Sequence, residues 1–194
     1  VEGGMQQDAV DMITSLSVFF RTSLSKGKDI IPLSEEKRHT LSYLEIQQSR
    51  YRDIMEFEIN IPPELDEVMV PKLTLQPLAE NALYHGIKNK RGKGKITVRG
   101  YREDSFFILE VRDNGIGMQT ERLVQVRNAL LYKQLAESKV YGLYNVNERI
   151  RLNCGEEYGL RISSTYQEGT TVKILLPDAD SGLSSLEEEI QPDS

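Results

Sequence analysis

The residues with the clearest capacity for chemistry are Asn81 and His85, four apart in the run Leu75-Gln76-Pro77-Leu78-Ala79-Glu80-Asn81-Ala82-Leu83-Tyr84-His85-Gly86. On a helix that spacing stacks the two side chains one above the other, with Glu80 beside them. Leu75, Leu78, Ala79, Ala82 and Leu83 then make the buried face. An amide oxygen turned into a cleft suits Mg²⁺, which prefers oxygen ligands and keeps several waters. An ordinary surface helix would carry the same residues. A second run, Val111-Arg112-Asp113-Asn114-Gly115-Ile116-Gly117-Met118, takes a strand straight into D-x-G-x-G. Its glycines free the backbone for positive φ or for close approach to a ligand. A carboxylate at the end of such a strand can accept a hydrogen bond from an exocyclic amine, which selects a base. Asp-Asn-Gly also makes plain turns, but here a helix follows and two glycines exceed what a turn needs. In the third run, Tyr141-Gly142-Leu143-Tyr144-Asn145-Val146, a glycine opens a helix whose unpaired N–H groups suit phosphate.

These runs need elements to hold them. Val10, Ile13, Leu16, Phe20 and Leu24 recur at spacings of three and four, which predicts an amphipathic helix over 8–24. Ser34 before Glu35 and Glu36 reads as an N-cap opening a helix to about Tyr51, with Leu41, Leu44 and Ile46 inward. Met55, Phe57, Ile59 and Ile61 alternate with polar residues as a half-buried strand does, and Pro62-Pro63 ends it. A short segment over 68–70 leads to a helix over 73–86. Strands over 96–101 and 106–111 flank a hairpin turn at 103–105. Helices over 120–132 and 143–152 follow, then strands over 159–165 and 171–176 around Gln167-Glu168-Gly169. Interleaved strands and helices with several tight turns predict an α+β fold, a mixed and mostly antiparallel sheet with helices on one face. A doubly wound nucleotide fold is excluded: no G-x-G-x-x-G joins a strand to a helix, and no G-x-x-x-x-G-K-[ST] occurs.

The net charge of −6 argues against a general nucleic-acid or membrane-surface binder, which needs excess Lys and Arg. The single cysteine, Cys154, has no internal partner, so a reducing compartment is expected. No apolar run reaches the ~20 residues of a membrane span. Residues 178–194 are acidic and Ser-rich, and are expected to be a disordered tail. The basic loop from Lys88 to Lys95 reads either as a solvated turn or as a positive rim near phosphates.

Together and in this order, the three runs resemble the N, G1 and G2 boxes of the GHKL ATP-binding superfamily, which includes histidine kinases, gyrase-type topoisomerases, mismatch-repair ATPases and heat-shock chaperone ATPases. L-Q-P-L-A-E-N-A-L-Y-H-G-I at 75–87, G-L-Y-N-V-N-E-R-I at 142–150 and Y-L-E-I-Q-Q-S-R-Y at 43–51 are closer to the LytS/YesM-like sensor histidine kinases. The resemblance covers roughly 5–177. It implies the two-layer GHKL (Bergerat) sandwich over 31–177, preceded over 1–30 by part of a dimerisation-region helix and linker.

By the same resemblance, the cofactors are ATP and Mg²⁺. Asn81 would ligate the Mg²⁺ that bridges the phosphates, His85 would lie near them, and Glu80 would orient or activate the attacking group. Asp113 would bind the adenine amino group, with Gly115 and Gly117 shaping the pocket floor. Gly142 and Leu143 would close over the phosphates at the end of a lid over about 119–141, and Thr170 would support the adenine site. The implied reaction passes the γ-phosphoryl group to a histidine on dimerisation helices of a homodimer, then to a response regulator receiver domain. The phosphoacceptor's P-H-F-type motif does not occur; of the two histidines present, His39 reads as solvated or locally bonded. The implied parent is membrane-anchored with this part cytoplasmic, and the fragment itself contacts no membrane. Two positions depart from the family pattern, Val140 and Gln167, each standing where a glycine would. Their bulk near the nucleotide leaves a rival, a catalytically weak regulatory or interaction module. A serine kinase of the anti-sigma type is disfavoured by the Y-L-E-I-Q region and the 8–24 helix.

Overall fold

The computed structural model describes residues 29–132 and 141–178. The expected 8–24 helix, the lid position Val140 and the tail beyond Asp178 lie outside these. Asp178 itself pairs with Arg102 at 3.2 Å.

Alternating sequence becomes a five-stranded sheet. Its strands are β2 (Met55–Asn60), β4 (Gly94–Glu103), β5 (Phe106–Asp113), β6 (Gly159–Thr165) and β7 (Gly169–Pro177), in the order β2-β4-β5-β7-β6. Only β2 and β4 run parallel; the other neighbours are antiparallel. A parallel pair requires a crossover, and here it carries the Asn81 helix onto one face of the sheet. That face is apolar: Ile96, Val98, Phe107, Leu109, Val111, Leu160, Ile162, Val172 and Ile174 are all buried. The expected α+β fold with a mixed, mostly antiparallel sheet and helices on one face is the observed one. A separate pair joins β1 (Ile30–Pro32) to β3 (Met69–Pro71).

The helices are α1 (Leu33–Arg50), α2 (Leu75–Asn81), α3 (Thr120–Tyr132) and α4 (Tyr141–Cys154). Beyond Asn81 the chain does not continue as α-helix. It widens into a π turn over Ala82–Gly86 and then a 3₁₀ turn over Ile87–Asn89. Such widened turns frequently accompany functional sites.

Three expectations on α1 need correction. Ser34 is not its cap: the helix starts at Leu33, and the amides of Leu33 and Ser34 donate instead to Val68 O at 2.8 Å and Asp66 O at 2.9 Å. A passing loop thus satisfies the orphan donors that a cap would serve. Leu41 is 37% exposed, because the inward face follows Leu33, Thr40, Tyr43 and Leu44. His39, expected to be solvated or locally bonded, is not solvated: it is buried, and burial together with the charge of Lys72 lowers its pKa.

Candidate functional site

Asp113 is the last residue of β5, facing Thr170 in the β7 register and Ile96 in that of β4. Its side chain turns to the helical face and is 5% exposed. The Gly115 amide donates to Oδ1 at 2.8 Å. Burial pushes the carboxyl up to about 6, against the opposing pull of the Gly115 and Thr170 amides and of Lys90.

Around this carboxylate, backbone meets backbone. A β-carbon at position 115 would fall 2.3 Å from Gly86 C, and one at position 86 would fall 2.5 Å from Asp113 Oδ1. Ile116 N–H donates to Gly86 O at 3.2 Å, which closes the contact. Gly117 has φ 63, and a β-carbon there would meet Thr165 O at 2.0 Å. The β6–β7 turn braces the same loop from the other side. Gln167 N–H donates to Ile116 O at 2.6 Å, and Met118 N–H donates to Ser164 Oγ at 2.8 Å. Ser164 Oγ also lies 2.9 Å from Thr170 Oγ1.

The other end of the site stands on helices. Asn81 closes α2 and donates through Nδ2 to Pro77 O at 2.6 Å, which anchors the nitrogen on its own helix and orients the amide whose oxygen is the atom suited to a cation. α4 brings Gly142 alongside: a β-carbon there would lie 3.6 Å from Asn81 Nδ2. A cavity of about 290 Å³ joins the two ends, near the lower end of small-molecule sites (~300 Å³). Asn81, His85, Asp113, Gly117, Leu143 and Thr170 all line it, with Leu78, Ile116, Met118, Val126 and Val172 as its apolar wall. A larger cavity, about 510 Å³, opens where α3 and α4 meet the β6 edge; Asn147 lines it, but none of the site residues predicted from the sequence does.

Three of the sequence-predicted residues stand outside the cavity lining: Gly142, beside Asn81 at the start of α4, Gly115 and Glu80. Gly115 acts behind it, through its contact with Gly86. Glu80 accepts from Gln76 Nε2 at 2.8 Å, and its charge adds to the burial that raises the Tyr43 pKa. Thus Glu80 lies on the α1 side of α2. The basic loop forms no rim on the cavity. Lys88 stacks on the Tyr51 and Tyr84 rings at 4.9 and 4.7 Å, Lys90 donates to Asn114 O at 2.7 Å, and Lys93 and Lys95 pair with Glu56 and Glu58. Asn89 is the one residue of that loop in the lining.

Sequence reasoning missed Gly86, which ended the first motif without a role, and Ser164, whose hydroxyl gives no sequence signal. It also missed Glu36 and Arg149, which hold α2 from behind. As for metal, no group of three or more His, Cys, Asp or Glu side chains could hold an ion among the described residues. A single amide oxygen fits Mg²⁺ when phosphate oxygens and water complete the shell, which is how that ion is usually held beside a nucleotide.

The family described as histidine kinase-, DNA gyrase B-, and HSP90-like ATPase matches residues 71–180, and one described as histidine kinase matches residues 2–55. The sensor histidine kinase YesM of Bacillus subtilis is 32% identical over 176 residues, 91% of this chain and 29% of YesM. Sensor protein LytS of Bacillus cereus is 33% identical over 172 residues, 88% of this chain and 29% of LytS. The chain therefore spans under a third of the length of these relatives. In fold, it is similar to the histidine kinase domain of the blue-light activated histidine kinase from Erythrobacter litoralis EL346. The TM-score is 0.55 at 16% identity, over 88% of this chain and 74% of that one.

Proposed function

The chain belongs to the histidine kinase-, DNA gyrase B- and HSP90-like ATPase family, and from that premise we propose that it is the catalytic ATP-binding domain of a two-component sensor histidine kinase. One observation carries this reading: three motifs separated in sequence converge on a single cavity. A buried carboxylate would select the base at one end; at the other, a helix start would receive the phosphates beside an amide oxygen that would hold their Mg²⁺.

In this proposal Asp113 accepts the adenine amino group, Thr170 and Gly117 bound the ring, and Gly142 and Leu143 present the start of α4 to the phosphates. Asn81 would hold Mg²⁺, which supplies charge neutralisation of the phosphate oxygens when bound. His85 lies on the cavity wall beside Asn81. Glu80, outside the wall, is the candidate to orient the incoming acceptor. The phosphorus–nitrogen bond to a histidine forms as the bond between the γ-phosphorus and the ADP oxygen breaks, so ADP leaves. Neither histidine here suits the acceptor's part, since His39 is buried and His85 faces the cavity. In this proposal the acceptor belongs to dimerisation helices of a homodimer, with a response regulator receiver domain next in the relay and a cytoplasmic setting, as the family likeness implies. No helix among the described residues is long and apolar enough to cross a membrane.

Calorimetric titration with a non-hydrolysable ATP analogue, with and without Mg²⁺, tests the reading. Binding should fall roughly 10- to 100-fold in Asp113→Asn, the value of a hydrogen bond to a charged group. In Asn81→Ala the Mg²⁺ dependence should vanish. A chain that binds no nucleotide at millimolar concentration would sink the kinase reading in favour of an interaction module.

A further inference from the structure

The start of α2 is held by a carboxylate 38 residues earlier in the chain. Glu36, on α1, is fully buried. Its Oε2 accepts from Leu73 N at 3.0 Å, and its Oε1 accepts from Thr74 N at 2.7 Å and Leu75 N at 2.8 Å. Thr74, the residue in the cap position, does not cap: its hydroxyl donates to Pro71 O at 2.5 Å. Glu36 therefore does across the fold what a local Ser or Asp does in other helices, and three consecutive amides converge on it. Arg149 of α4 reaches the same loop, donating through Nη1 to Lys72 O at 2.8 Å and to Leu73 O at 3.2 Å. Leu73 sits at φ 57, a strained position for a branched residue, so the loop's path is imposed by what surrounds it.

What this clasp touches explains its place. α2 has seven residues, about 10 Å of helix, too short to bend, so a shift at its start arrives undiminished at its end. Its end is Asn81. α4, gripped through Arg149, carries Gly142 at its own start, beside Asn81. The two helices whose far ends flank the phosphate side are thus tied together at one loop, away from the cavity.

We propose that Glu36 is a positioning residue for the phosphate and metal end of the nucleotide site. It fixes the placement of α2 against α1, and Arg149 ties α4 to the same loop, so that the spacing of Asn81 and Gly142 is set without either residue touching the ligand. This rests on the nucleotide reading above and adds to it a control point on α1. That helix lies within the 2–55 histidine kinase match, so displacement of α1 would reach Asn81 through one carboxylate.

The test uses the 194-residue chain and separates the two ends of the site. Adenosine and a non-hydrolysable ATP analogue, the latter with and without Mg²⁺, are titrated into the unmodified chain, Glu36→Gln and Arg149→Met, with far-ultraviolet circular dichroism confirming the fold of each. A glutamine cannot accept from three amides with both terminal atoms. In Glu36→Gln the Mg²⁺-dependent gain in analogue affinity should fall on the order of 10-fold, as when a ligand's supporting partner is lost, while adenosine affinity stays unchanged. Arg149→Met should shift the same gain in the same direction by less, and it carries the test if Glu36→Gln does not fold. A fall in all three affinities together, or an unaltered Mg²⁺ gain in folded variants, would overturn the proposal and leave Glu36 a purely structural group. An unmodified chain that shows no Mg²⁺ gain at all would instead remove the nucleotide reading, and this inference with it.

Discussion

The two ends of the cavity are built on different principles. Around Asp113 the walls are backbone packed on backbone: Gly86 against Gly115, Gly117 against Thr165, all clamped by the β6–β7 turn. Around Asn81 they are side chains carried on helices, and the helices are held from behind by hydrogen bonds to Glu36 and from Arg149. Backbone contact leaves no tolerance, because a single methyl must displace a strand or a turn. Helix-borne side chains can move with their helices. The Asp113 end is therefore fixed, while the Asn81 end is adjustable, which suits the proposed nucleotide site, whose base would be held still while its phosphates are gripped and released.

The sharpest way to break this comparison is one added methyl at each end. In Gly117→Ala the β-carbon would meet Thr165 O at 2.0 Å, at a φ that alanine disfavours. Destabilisation of roughly 3 kcal/mol or more is expected from clash and strain together, with nucleotide binding lost. Gly142→Ala meets only Asn81 Nδ2 at 3.6 Å, an ordinary contact, and should change stability by about 0.5 kcal/mol or less. Denaturant unfolding of both variants decides it. Equal costs would mean that the two ends are alike after all.

A smaller effect separates them by pH. Asp113 titrates near 6 in the folded chain, against 3.8 for the free group, because it is buried. Between roughly pH 4 and 6 the folded chain holds a proton that the unfolded chain has released, so this group's contribution to stability declines as pH rises through that window and is level above it. Base recognition needs the opposite form: a carboxylate that accepts the adenine amine, so adenosine affinity should weaken as pH drops below about 6. Stability and binding should therefore move in opposite directions over the same range. Asp113→Asn should flatten both profiles, and its unfolding midpoint relative to the unmodified chain should be higher at pH 7.5 than at pH 5. Profiles that both stay flat over this range in the unmodified chain would mean that Asp113 is ionised throughout.

The same division governs what could be read from the sequence. The base end is local in the chain: Asp113, Gly115 and Gly117 lie within five residues, and glycines that stop a strand advertise close approach. Asn81 and His85 were legible as neighbours, and all five positions expected to be buried beside them are buried, although the α-helix expected to carry both gives way to the π turn after Asn81. The support of that helix was not legible. Glu36 looks like a first-turn acid on its own helix, and nothing in a single sequence pairs it with amides 37 to 39 residues away. Ser34 was misread for the same reason, since the loop that satisfies its helix start arrives from Asp66 and Val68. His39 sits in the charged stretch Lys37-Arg38-His39, which suggests solvent or a local bond, and the helix turns it inward beside Lys72. Local chemistry leaves a local signature; contacts across the fold do not.

Gln167 tests the boundary between those two kinds of constraint. The sequence marks it as a departure, a glutamine where the family pattern has glycine, and the structure holds it at φ 67. A residue with a β-carbon pays for the left-handed conformation with about 1–2 kcal/mol, whereas glycine adopts it freely but loses about 0.5–1 kcal/mol more in chain entropy on folding. Gln167→Gly should therefore stabilise the chain by about 0.5–1 kcal/mol, read as a rise in the unfolding midpoint. Its amide bond to Ile116 O belongs to the backbone and survives the change, so adenosine affinity should hold. A loss of stability would show that the glutamine side chain contributes more than its backbone strain removes. The fixed end of the site would then depend on a side chain as well as on the backbone contacts that define it.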